Sequence, residues 1–79
     1  MGKATMYRYL FYYKIYKDES LTGDGRAEFE MTKPIIGSVD LEPAETKIKW
    51  SLRPGHRCMI VDYRLMARLI DGVWVSADA

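Results

Sequence analysis

One cysteine and one histidine are the only residues of their kinds in this 79-residue chain, and their scarcity removes several kinds of chemistry at the outset. Cys58 has no second thiol to pair with, so no internal disulfide can staple the fold, and the expected setting is a reducing cytoplasm. His56 and Cys58 are too few ligands for a structural zinc site unless a second chain supplies the rest. No metal or cofactor is expected. A long apolar run is also missing, because the N-terminal MGKATMYRYLFYYK threads basic and polar groups through its apolar ones. That pattern argues against a signal peptide and against a membrane span. Charge of one sign is absent too: 12 Lys and Arg stand against 11 Asp and Glu, a formal net charge of +1. Such a chain exerts no long-range pull on polyanions and is not acidic enough to mimic nucleic acid. Gly23-Asp24-Gly25 has neither the following helix nor the lysine of a phosphate-binding loop.

What the chain does have fits one folded domain over residues 1–79, with 48% hydrophobic and 29% charged residues. A domain of this size buries only about 60% of its unfolded surface. Its core is small, and a partner or a second copy is a natural supplement.

Residues 6–17, MYRYLFYYKIYK, hold five of the six tyrosines beside one arginine and two lysines. Aromatic and β-branched residues at this density favour a strand. Alternation assigns Tyr7, Tyr9, Phe11, Tyr13 and Ile15 to a core face, and Arg8, Leu10, Tyr12, Lys14 and Tyr16 to the other. DESLTGDG reads as a polar loop, and RAEFEMTK then alternates Ala27, Phe29 and Met31 against Arg26, Glu28, Glu30 and Thr32. The two strands form a hairpin. Any register that joins the apolar faces places Glu28 and Glu30 on the face of Arg8 and Lys14. A nucleic-acid platform needs uncompensated positive charge beside its stacking aromatics, so this hairpin is a poor one.

The middle segment, SVDLEPAETKIKWSLRPG, admits two readings. As a helix over residues 41–52 it opens with Asp40 as N-cap, carries Pro43, Glu42 and Glu45 in its first turn, and stops before Pro54-Gly55. Leu41, Ala44, Ile48 and Leu52 then form one stripe, with Trp50 on the opposite side. As a strand it alternates Ile48, Trp50 and Leu52, makes Trp50 core, and enters a type II turn at Arg53-Pro54-Gly55-His56. The strand leaves residues 34–45 as a long structureless connection, so the helix is preferred. RCMIVDYRLM follows as a strand alternating Met59, Val61, Tyr63 and Leu65 against Cys58, Ile60, Asp62 and Arg64. Asp71-Gly72 suits a two-residue type I′ hairpin into a short last strand, while residues 63–70 alternatively read as a helix ended by Gly72. The expected class is α+β, a small antiparallel ββαβ sheet with one helix packed on it and a short extra C-terminal strand. The alternative is an all-β five-stranded meander or small barrel.

Several constellations invite chemistry and are better read as structure. Asp18, Ser20, Thr22 and Asp24 alternate like calcium ligands, but the twelfth position of such a loop, where a bidentate glutamate is required, is Phe29. His56 and Cys58 share a face if they lie on a strand. Nothing supplies the third group and the oxyanion site that a thiolate-imidazole nucleophile requires. No enzyme activity is expected.

The aromatic first strand, the Gly23-Asp24-Gly25 turn, the second strand ending Thr32-Lys33-Pro34-Ile35, the segment from Asp40-Leu41-Glu42 through Ile48, and the strand Met59-Ile60-Val61-Asp62-Tyr63-Arg64-Leu65-Met66 together resemble a loose group. It consists of small phage-encoded accessory proteins of ββαβ layout, anti-defence and anti-CRISPR-like proteins among them. The similarity covers about residues 6–66 and is one of hydrophobicity and turn residues. It implies a phage or prophage protein that binds a host defence protein and inhibits it by stoichiometric occlusion. It carries no catalytic residues across.

The residues left for partner binding are Tyr12, Tyr16 and, on the helical reading, Trp50, flanked by Lys47, Lys49 and Arg53. Tyrosine and tryptophan anchor protein interfaces more often than other residues do. The alternative is a small nucleic-acid-binding module built on Lys47, Lys49, Trp50, Arg53 and Arg57. A homodimer is open as well, because an uncapped sheet edge invites pairing.

Overall fold

The computed structural model describes residues 2–78. Its elements are β1 (Ala4–Lys17), β2 (Ser20–Met31), a 3-10 turn (Ser38–Leu41), α1 (Glu42–Ser51), β3 (His56–Ile70) and β4 (Val73–Ser76). The strands form one antiparallel sheet in the order β2-β1-β3-β4.

The first hairpin pairs Tyr7 with Met31, Tyr9 with Phe29 and Phe11 with Ala27, so the apolar residues share a face. The intervening positions pair Arg8 with Glu30, Leu10 with Glu28 and Lys14 with Asp24 on the other face. Arg8 and Glu30 close an ion pair at 2.9 Å on the common face to which matching the apolar sides assigned them. DESLTGDG, however, is not a loop. Asp18 adopts a left-handed φ of 56°, a conformation that aspartate tolerates, and the chain reverses at once into β2. The would-be calcium ligands Ser20, Thr22 and Asp24 are therefore spread along a strand.

β3 runs unbroken from His56 to Ile70, which removes the helical alternative for residues 63–70. Asp71 and Gly72 both have positive φ, 51° and 79°, as the type I′ turn into β4 demands. The pairing of β1 with β3 slips three times, leaving Thr5, Val61 and Met66 as extra residues. Bulges bend and twist a strand, and here they help curl the four strands into a half-barrel. They also change the phase of β3. Met59 falls opposite Lys14, whereas Tyr63 and Leu65 fall opposite Phe11 and Tyr9 on the other face. The expected single stripe Met59, Val61, Tyr63, Leu65 is thus corrected to an inner set of Cys58, Ile60, Tyr63 and Leu65.

α1 packs on the inner face. Ala44 and Ile48 are buried and Leu41 and Leu52 half-buried, which is the stripe read from the sequence. Pro43 sits in the first turn, where a missing N–H costs nothing. Asp40 is not the N-cap of α1. Its carboxylate accepts the N–H groups of Ile36 and Gly37 at 3.0 and 3.1 Å and holds the turn that precedes the helix. After α1, Gly55 at φ 82° and the His56 N–H donating to the Arg53 carbonyl at 3.1 Å mark a type II turn into β3.

The α+β expectation is corrected. Among the described residues strand accounts for 58% and the one α-helix is ten residues long, so the fold is predominantly β, closer to the all-β alternative but with four strands. The molecule extends 48 Å along its longest axis, whereas ten helical residues span about 15 Å. One helix therefore covers only a part of the inner face. At the centre, Phe11 is fully buried, with Tyr9 and Ala44 packed beside it and Phe29, Ile35, Leu41, Ile60 and Leu65 around them. The rings of Tyr9, Phe29 and Tyr63 approach Phe11 at 5.9, 5.9 and 6.5 Å between centroids.

Candidate functional site

The side chains expected to bind a partner fall on two separate surfaces. Trp50 lies in the last turn of α1, about 100° per residue from its neighbours, which sets it away from Ala44 and Ile48. Its indole is 80% exposed. Lys49 and Arg53 are exposed nearby in sequence. Lys47, one turn before Trp50, reaches sideways, its Nζ 5.4 Å from the centroid of the Phe29 ring. It forms one wall of a cleft of about 420 Å³ between α1 and the end of β2, floored by Phe29, Met31, Pro43 and Ala44.

Tyr12 and Tyr16 belong to the other surface. They occupy even positions of β1, whereas the helix packs on the odd ones, so they lie on the outer face of the sheet. Tyr12 is 36% exposed. Tyr16 is half-buried under Arg57, whose guanidinium carbon stands 5.2 Å from the ring and whose Nε donates to the Asp18 carbonyl at 3.4 Å. The expected partner-binding residues are therefore divided, Trp50, Lys47, Lys49 and Arg53 on a helix surface and Tyr12 and Tyr16 on a sheet surface. The physical reason is the parity of β1, which the sequence shows but which says nothing of where the helix docks.

Three residues of the outer face escaped the sequence reading. Leu21 pairs directly with Tyr16, Met59 lies opposite Lys14, and Val61 is the bulged residue between Asp62 and Ile60. All three are exposed and extend the aromatic surface of Tyr12 and Tyr16. Leu21 was hidden in a presumed loop, and Val61 was hidden by a bulge that leaves no mark in an alternating pattern. Around them Lys14 and Arg26 face Asp24, so the charges compensate.

The helix side is also balanced. A second cleft, between α1 and β3, brings Lys49 and Arg57 together with Glu42 and Glu45. Cys58 opens into it. Its thiol donates weakly to the Glu45 carbonyl at 3.8 Å, and burial, with the Glu45 charge second, pushes its pKa upward. That is the reverse of an activated nucleophile. The His56 ring turns instead to its own turn, with Nδ1 at 3.2 Å from the Arg53 carbonyl. Among the described residues no group of three His, Cys, Asp or Glu stands close enough to hold a metal ion. No helix among them is long and apolar enough to cross a membrane.

No family model matches this chain, and no curated protein or solved structure matches it either.

Proposed function

We propose that this chain is a non-enzymatic protein-binding module that acts stoichiometrically by covering a surface of its partner, with Trp50 as the anchor. The observation that carries the reading is the exposure of that indole, 80% on the solvent side of a helix whose other face supplies the core. An indole left in water gives up the free energy its burial would contribute, and in a partner's pocket it recovers that free energy. Lys49 and Arg53 set orientation and encounter rate. In the form implied by the phage-protein resemblance, the partner is a host defence protein in the cytoplasm and occlusion inhibits it. The nucleic-acid alternative is disfavoured because Lys49 and Arg57 share their cleft with Glu42 and Glu45, and Arg57 is already engaged by Tyr16 and Asp18.

The test is affinity capture from host lysate with wild type and Trp50→Ala side by side, at low and high salt. A discrete protein captured by the wild type, retained at high salt and lost with Trp50→Ala, is the expected result. Equal capture by both would remove Trp50 as the anchor. Capture that collapses with salt would favour phosphate contacts instead.

A further inference from the structure

β2 is the terminal strand of the sheet along all twelve of its residues, so one row of its backbone N–H and C=O groups faces outward. We infer that this edge pairs with β2 of a second copy, antiparallel about a two-fold axis at Gly25, and joins two half-barrels into one eight-stranded sheet.

The side chains select both the occupant and the register. In an antiparallel two-fold pairing each residue meets its mirror position, and the faces match only if the axis passes through a residue. The outer face of β2 carries Asp24, Arg26, Glu28 and Glu30. An axis at Asp24, Arg26 or Glu28 sets that residue against its own copy. An axis at Ala27 sets Asp24 against Glu30, and one at Phe29 sets Glu28 against Glu30. An axis at Gly25 alone among these avoids every like-charge pair. It places Asp24 opposite Arg26 twice and Gly23 opposite Ala27, and the bulge at Thr22, which the pairing with β1 skips, lies beyond these charged pairs. Opposite charges directly across a ladder are favourable and like charges are not.

The inner face supports the same axis. Gly25 has no side chain because the Tyr13 ring lies over it: a Cβ there would stand 2.7 Å from the Tyr13 Cζ and Oη. That ring carries aromatic surface across β2 to the open edge, and an axis at Gly25 brings the two Tyr13 rings to face each other. Gly25, which weakens an isolated edge strand, then lies beneath a pair of aromatic rings, a known remedy for edge glycines. This contact uses β2, while the proposed anchor Trp50 is on α1, so the two readings fail independently.

The experiment is sedimentation equilibrium of the full chain over a wide concentration range, for wild type, Asp24→Arg, Arg26→Asp and the double swap. The wild type is expected to dimerise. Each single swap creates two like-charge pairs and weakens the dimer by about tenfold or more, and the double swap restores it to within about threefold. Hydrogen exchange on the wild type supplies a readout that no variant can confound: β2 amides gain protection as concentration rises, while those of β4 do not. A wild type that stays monomeric at about 1 mM overturns the inference. So does a dimer indifferent to the single swaps, a double swap that fails to restore association, or β2 amides whose exchange ignores concentration.

Discussion

The hydroxyl of Tyr9, buried at the centre of the inner face, accepts the backbone N–H of Ile35 at 2.9 Å. This bond ties the connection leaving β2 to the middle of β1 and delivers the chain to the start of α1. Tyr9→Phe keeps the ring and leaves the Ile35 N–H without its partner. Its expected cost is about 1 kcal/mol, which lowers the Tm by about 4–8 °C in a domain of this size. Thermal unfolding followed by circular dichroism measures it, and an unchanged Tm would show that the bond contributes nothing net.

Ile48 and Trp50 lie two residues apart on α1 and should behave as opposites. Ile48→Ala empties a fully buried site on the inward stripe of α1 and is expected to reduce the unfolding free energy by about 2–5 kcal/mol. Trp50→Ala removes a ring that lies in water, with an expected change within about 0.5 kcal/mol. Urea titration of the two variants separates the residue that holds the fold from the one left over for binding. A large loss with Trp50→Ala would return that indole to the core and withdraw it as an anchor.

Asp40 gives the protein an acid-sensitive turn. The N–H groups of Ile36 and then Gly37 hold its carboxyl below the ordinary carboxylate range, with Lys33 adding to the effect. A folded-state value below the unfolded one means that the stabilisation is present above the pKa of an unfolded aspartate. It is lost as pH falls through the lower folded value. Asp40→Ala should flatten this acid limb and, at neutral pH, speed hydrogen exchange at Ile36 and Gly37. Exchange at those two amides that is the same in both proteins would refute the assignment.

Cys58 shifts the other way. Its raised pKa means that the thiolate is disfavoured in the folded state, so its contribution to stability is complete below the unfolded thiol value and is lost as pH rises through the folded one. Alkylation by iodoacetamide at pH 8 is expected to be several-fold slower in the native protein than in urea. Rapid native labelling would instead mark the thiol as reactive.

Gly72 closes the β3-β4 hairpin at φ 79°, where an L side chain is strained. Gly72→Ala is expected to cost about 1 kcal/mol and to loosen β4 selectively, since this turn starts the pairing of β4 with β3 at Ile70–Val73. Amide exchange of β4 compared with β1 reads the effect. Equal protection of both strands in the variant would contradict it.

The facing of the first hairpin was legible in the sequence because a period of two with one apolar side on each strand puts Arg8 and Glu30 on a common face, whereas their direct pairing was set by the tight turn at Asp18. The helix over residues 42–51 and the Asp71-Gly72 turn were legible for similar local reasons: a stripe at helical spacing, and a residue pair that tolerates positive φ. The balance of strand to helix was not, since Ser20 to Gly25 combine turn-forming residues with a strand's role, and pairing with β1 overrides their local preference.

Local rules working over a few residues thus determined which side chains of β1, of the Arg26–Met31 part of β2 and of α1 turn inward, and, once the segment is helical, the exposure of Trp50. What only the tertiary structure decided is which of those faces meet. The bulges at Val61 and Met66 reset the phase of β3, and the docking of α1 on the odd side of β1 parted Trp50 from Tyr12 and Tyr16. Both depend on contacts between residues far apart in the chain, and an alternating pattern carries no record of where its neighbour slips.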